Sequence, residues 1–293
     1  MTVTPDLEAP RPPAGPGFSD AVTFAFGDPR ADVYGLARVG LAAEGASGLA
    51  LLFRGGATVA ARAEGGAPSD GGWEGARAAG VSTRVIEPLA RWEVGFDGRD
   101  DGGFTLDVRA LGAPAVLDAD SPAGVAGSME GYEQLCRVRG SVRTGDEAVA
   151  VDCLGQRGHS WGAPDWERMA LTRTLGAWFG DDLAVVLSAV RPAKAREHDA
   201  DAITAAVLEG EPPAPVAIAE PLLSTTYDAE RRQRRAGFEL WPEGESSYPR
   251  RGAGEVLCGT SLDLGRLRLD CAFFRWRMEG REGVGRYDVL RRA

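Results

Sequence analysis

The chain has 293 residues, 44% of them hydrophobic, enough apolar mass for one large core or two ordinary ones. Its formal net charge of -10 excludes nucleic acid and anionic membrane as main partners, because phosphate recognition needs clustered cations. The 40 glycines show no collagen-like period and indicate many tight turns, as an all-β chain requires.

Residues 1–17 hold five prolines and little that can pack, and read as a disordered arm. This start is acidic and proline-rich rather than basic and then apolar, so no signal peptide is read. No transmembrane run follows, and a cytoplasmic protein without integral membrane association is the expectation. From Phe18 onward, short segments alternate apolar and polar residues between Gly, Asp and Pro. Strands are predicted at 21–27, 33–42 and 48–54. Ala90, Trp92, Val94 and Phe96 then alternate against Arg91, Glu93 and Gly95, and Phe104, Leu106 and Val108 against Thr105, Asp107 and Arg109. Further strands are predicted at 133–143, 147–154, 168–179, 182–191, 214–228, 234–241, 254–258, 264–278 and 284–291. Leu183-Ala184-Val185-Val186-Leu187 has no polar face, as in a strand buried on both sides. The stretch 195–201, with His198, reads as an exposed polar turn. A short helix is expected around Asp201 to Leu208, where alanines recur without a breaker. Arg231-Arg232-Gln233-Arg234-Arg235 reads as a solvated loop or strand edge.

Turn signals recur about every 8–15 residues, which suits sandwiches and barrels rather than βαβ units. Strand candidates fall evenly on either side of residue 165, so two stacked barrels are expected, at 18–165 and 166–293. Gly280-x-x-Gly283-x-Gly285 has the wrong order for a dinucleotide fingerprint and lies between strands, and no cofactor is read. Cys136, Cys153, Cys258 and Cys271 lack Cys-x-x-Cys spacing, and three fall on apolar strand faces, as free buried thiols do. Two distant histidines cannot supply a three-ligand set, so no metal is expected.

The most informative stretch is Gly155-Gln156-Arg157-Gly158-His159-Ser160-Trp161-Gly162. It contains Gly-x-Ser-x-Gly, the nucleophile-elbow pattern of serine hydrolases. The elbow needs an apolar strand running into the first glycine and a helix after the last. Here the apolar run stops at Leu154, Ala163-Pro164-Asp165-Trp166 opens a helix poorly, and no histidine follows in the last 95 residues. A hydrolase acting through Ser160 is therefore a remote alternative.

The block Gly131-Tyr132-Glu133-Gln134-Leu135-Cys136, followed by Arg157-Gly158-His159-Ser160-Trp161-Gly162 and Asp165-Trp166, resembles the AttH/CrtC-like tandem lipocalin proteins. That group includes carotenoid hydratases and lipocalin-like pericyclases and cyclases of natural-product pathways. Phe24-Ala25-Phe26-Gly27-Asp28-Pro29, Glu87-Pro88-Leu89-Ala90-Arg91-Trp92 and Glu279 to Gly285 extend the likeness over residues 18–290. The resemblance implies an all-β chain of two tandem lipocalin-like antiparallel barrels or half-barrels with few short helices. The group commonly has aspartate directly before the histidine, where this chain has Gly158. If that carboxylate protonates an alkene, its loss favours isomerisation, cyclisation or simple binding over hydration.

The site expected from these residues is an apolar cavity with polar groups aimed inward. His159 is the general acid–base candidate, since imidazole titrates nearest neutral pH. Arg157 would orient a carbonyl or carboxylate, with Tyr132 and Glu133 as further polar groups and Ser160 holding the histidine tautomer. Trp161, Trp166 and Trp92 would line the wall. The plainer alternatives are that Trp161 and Trp166 plug a junction, that His159 is a histidine satisfied by backbone carbonyls, and that Arg157 pairs with Asp165. The expected function is cofactor-independent isomerisation, cyclisation or hydration of a hydrophobic polyene, isoprenoid or polyketide-like substrate. The alternative is a non-catalytic lipophilic carrier. The partner read here is a hydrophobic small molecule, and the sequence specifies no oligomeric state.

Overall fold

Period-two alternation resolves into antiparallel sheet throughout the computed structural model, which describes residues 3–195, 201–244 and 248–293. His198 and most of the turn read around it lie outside the described residues. The chain divides into two compact units, Met1–Val116 with Glu130–Pro164, and Leu117–Met129 with Asp165–Ala293.

In the first unit the strands are β1 (Ser19–Asp28), β2 (Val33–Ala42), β3 (Gly45–Arg54), β4 (Ala57–Ala67), β5 (Val81–Glu87), β6 (Arg91–Asp97), β7 (Gly103–Ala110), β9 (Met129–Thr144) and β10 (Glu147–Gly162). They form a half-barrel in the order β4-β3-β2-β1-β10-β9-β7-β6-β5, with the short β8 (Ala115–Leu117) added on β9. The inward residues of these strands make one core, in which Phe24 meets Trp92 with ring centroids 5.2 Å apart and Phe26 meets Phe104 at 5.3 Å.

The second unit is a closed eight-stranded barrel: β11 (Met169–Gly180), β12 (Leu183–Pro192), β13 (Ala202–Glu209), β14 (Ala214–Tyr227), β15 (Gln233–Pro242), β16 (Arg250–Asp263), β17 (Leu267–Met278) and β18 (Arg281–Arg292). Closure is antiparallel pairing of β18 back onto β11, from Leu171↔Arg291 to Trp178↔Val284. Leu183 to Leu187 are all buried, as a run without a polar face requires. The glycine cluster at 280–285 is hairpin chemistry: Glu279 and Gly280 take φ of 51° and 77° in the turn from β17 to β18.

Three expectations are overturned. The helix expected around 201–208 is instead β13, whose Ala205 and Val207 face Leu187 and Val185 and enter the barrel core. Alanine's helix preference is a weak prior, and pairing on both edges outweighs it. The strand expected to stop at Leu154 continues to Gly162, because β1 pairs with it residue by residue from Gly27↔Leu154 to Ser19↔Gly162. Residues 117–129, read as part of the first domain, group with the second unit. There the helix α1 (Pro122–Gly127), N-capped by Ser121, packs Ala123 with Met169 and Val190.

All four cysteines are free and buried. Burial pushes the Cys136 and Cys153 thiols up to about 12, which keeps them inert.

Candidate functional site

Successive side chains on a strand point to opposite faces of the sheet, and that rule sorts the site. On β10 the inward face carries Arg157, His159 and Trp161; on β9 it carries Tyr132 and Gln134. On β1 Asp20 shares its face with Val22, Phe24 and Phe26. These groups converge in the first unit.

His159 is 1% exposed and sits among aromatic rings, with centroids of Trp161, Trp73 and Tyr132 at 4.8, 5.3 and 5.8 Å. Its Nδ1 lies 2.7 Å from the Leu7 carbonyl oxygen and its Nε2 2.6 Å from Asp20 Oδ1. A carbonyl only accepts, so Nδ1 carries a proton. Nε2 and the Asp20 carboxyl then share one further proton, either as imidazolium against carboxylate or as imidazole accepting from carboxylic acid. Asp20 Oδ2 is fixed by the Arg11 backbone N–H at 2.6 Å. Orientation of an imidazole by a carboxylate is the arrangement proton-transfer sites use.

Beside this dyad lies a buried ion pair. Arg157, 2% exposed, donates through Nη1 to both oxygens of Glu8 at 2.8 and 2.7 Å, and through Nε and Nη2 to Gln134 Oε1 at 2.9 and 2.7 Å. Gln134 is held in turn by the Leu89 and Gly112 carbonyls. Glu8 also accepts from the Tyr132 hydroxyl at 2.5 Å and the Leu89 N–H at 2.6 Å, while its own carbonyl accepts from Trp73 Nε1 at 2.8 Å. Burial works to raise the Glu8 pKa, but the Arg157 charge and these donors hold it below the usual carboxylate value. Burial likewise pushes the Tyr132 hydroxyl well up, so it stays a donor.

Leu7 and Glu8 end a 3₁₀ turn, Pro5–Glu8, in the segment read as a disordered arm. Each is 3% exposed, while residues 3–6 and 12–17 are exposed. The segment joins no sheet, but composition conceals a buried two-residue peg within it. Leu7 packs with Tyr132 and Trp161, and the Arg11 guanidinium lies 4.5 Å from the Trp161 ring centre. The hollow in front of His159 is therefore filled by the chain's own N-terminal segment.

Other predicted residues are placed elsewhere. Glu133 points to the sheet face opposite Tyr132 and accepts from Gln156 Nε2 at 2.6 Å, so two adjacent strand residues cannot both serve one cavity. Ser160 faces away from His159 for the same reason, and the ring is held by Leu7 and Asp20 instead. Ser160 also lies within a continuous strand, not a strand–turn–helix elbow, which removes the hydrolase reading. Trp166 belongs to the second unit, where it packs against the Ala123, Met169 and Val190 cluster. Trp92 is fully buried in the first core, 6.0 Å from the Arg157 guanidinium carbon. Arg157 pairs with Glu8 rather than Asp165.

Gly158 also faces away from His159. A Cβ there would lie 2.4 Å from Glu133 Oε2. Glu133 of the neighbouring strand therefore occupies the space that a side chain at position 158 would take. Sequence reasoning missed Asp20, Glu8, Leu7, Trp73 and Gln134. Asp20 carried a signal, an acid on the inward face of an apolar strand; Glu8 carried none.

Among the described residues no group of three or more His, Cys, Asp or Glu side chains could hold a metal ion, and no helix is long and apolar enough to cross a membrane. Among solved structures, an AttH candidate from Nitrosomonas europaea superposes with a TM-score of 0.72 at 12% identity, covering 95% of this chain and 98% of that one. CghA crystallised with Sch210972 gives 0.70 at 11% identity, covering 95% and 89%. Kievitone hydratase from Nectria haematococca gives 0.63 at 10% identity, covering 95% and 90%. These likenesses establish the AttH-like tandem lipocalin fold. No curated protein matches the sequence. Residues 4–293 match the model of DUF7064, a domain of unknown function, and the chain belongs to that family.

Proposed function

We propose that the first unit is a cofactor-independent acid–base site for a hydrophobic small molecule, performing isomerisation, cyclisation or hydration. The observation that carries this reading is His159: buried, boxed by aromatic rings, backed by Asp20, and presenting Nδ1–H to a carbonyl oxygen. A substrate carbonyl or alkene in place of Leu7 O would receive that proton while Asp20 stabilises the charge change at Nε2. Arg157, Tyr132 and the Leu89 N–H would fix a polar head, and Trp73 and Trp161 would exclude water and steady positive charge. A fold shared with kievitone hydratase, and with CghA in complex with the small molecule Sch210972, supports this class of chemistry.

A non-catalytic carrier would use the same pocket and predicts binding without proton transfer. The two separate in deuterium oxide. Incubated with polyene ketones or with ligand extracted from the purified protein, an acid–base site leaves deuterium in the recovered molecule. His159→Asn should fold with a lower thermal midpoint, because buried Asp20 loses its partner, and should lose that exchange; equal exchange in both folded proteins would reject His159 as the proton donor.

A further inference from the structure

We infer that residues 7–8 occupy the site in the manner of its ligand, and that the ligand replacing them is an apolar molecule ending in a carboxylate. The inference rests on the reading that this pocket is the ligand site, and it adds the chemical class of what enters.

The donors of the pocket converge on two residues of one segment. His159 Nδ1 and Trp73 Nε1 meet the backbone carbonyls of Leu7 and Glu8; Arg157, the Tyr132 hydroxyl and the Leu89 N–H meet the Glu8 carboxylate. The peg therefore presents a carboxylate, a neighbouring carbonyl and a branched apolar group, Leu7, against Tyr132 and Trp161. Its hold on the half-barrel is confined to Leu7, Glu8 and the nearby Arg11. It joins no strand, the residues on either side are exposed, and a cleft of about 360 Å³ lined by Pro10, Arg11, Leu41 and Ala42 lies alongside.

Charge decides the class of replacement. Arg157 is a permanent cation inside an apolar wall, and Glu8 is the carboxylate bonded to it. When the peg leaves, a neutral occupant would strand a buried guanidinium together with the Tyr132 and Leu89 donors. A carboxylate satisfies all three, with its apolar body in the Leu7 position and beyond.

The test compares dodecanoate with dodecanol, read by tryptophan fluorescence on the full chain. Glu8→Gln removes the internal competitor and should tighten dodecanoate binding by at least about tenfold, with dodecanol changed by less than about twofold. Adding Arg157→Gln should erase the gain. An equal gain for the alcohol, or no gain for the acid, overturns the inference. If Glu8→Gln alone does not fold, dodecanoate should restore its thermal transition and dodecanol should not; rescue by both or by neither overturns it equally. Binding is scored apart from deuterium exchange. A carboxylate-specific gain without exchange keeps the ligand class and discards the acid–base role, and the reverse result does the opposite.

Discussion

Arg157 and Glu8 show what a single residue contributes when its partner lies far away in sequence. Two charges buried in van der Waals proximity are tolerated because every polar atom of the carboxylate is used: Arg157 twice, Tyr132 and Leu89. Breaking such a pair from one side leaves an uncompensated charge, at about 3–5 kcal/mol. Arg157→Met should lower unfolding stability by that order, measured by urea denaturation, whereas Glu8→Leu combined with Arg157→Met should recover most of it. A double variant as unstable as the sum of the singles would show that the two side chains are not coupled. Of this cluster, the basic member was readable: an arginine two positions before one of the chain's two histidines, in a glycine-rich stretch, points to a polar site. The acidic member was not, because nothing local distinguishes Glu8 from any acid in a proline-rich arm.

At the scale of elements, alternation did most of the sorting, and where it was applied strictly it would have sorted more. Tyr132 and Glu133 are neighbours on β9, as Ser160 and His159 are on β10, so each pair divides between two faces of the sheet. Gly158 is where this division has a testable cost. An aspartate introduced there must place its Cβ 2.4 Å from the Glu133 carboxylate, in a like-charged contact between adjacent strands. Gly158→Asp should therefore destabilise the first unit by roughly 1–3 kcal/mol. Combined with Glu133→Ala it should be nearly neutral, which a double-mutant cycle in urea would measure. A penalty unchanged by Glu133→Ala would place the strain elsewhere. The strand Ala202–Glu209 makes the complementary point: its alanines favour a helix locally, and the ladders to β12 and β14 override them.

Over the whole molecule, acid stability follows from the same electrostatics. The Glu8 carboxyl is held below its ordinary value of 4.5, so the unfolded chain takes up the proton more readily than the native one. Its contribution is complete above that value and is lost as pH falls through the lower native pKa. Asp182, hydrogen-bonded by Arg281, and Glu279, hydrogen-bonded by Arg250, are held low in the same sense at the surface of the second unit. The native protein should lose stability on acidification, and Glu8→Gln should flatten that acid limb, followed as the urea midpoint from neutral pH to below 4.5. An identical acid limb in the variant would mean that Glu8 binds its proton equally well in the folded and unfolded chains.

The sequence alone determined that this is an all-β chain rich in tight turns, and it pointed to residues 157–161 as a candidate site. Periodicity, glycine usage and the scarcity of histidine are local properties, legible without coordinates. Only the tertiary structure decided that Asp20 backs His159, that Glu133 and Ser160 turn away, and that Leu7 and Glu8 fill the pocket. Those facts depend on strand register and on contacts spanning up to 152 positions of the chain, and no window of sequence contains both partners of such a contact.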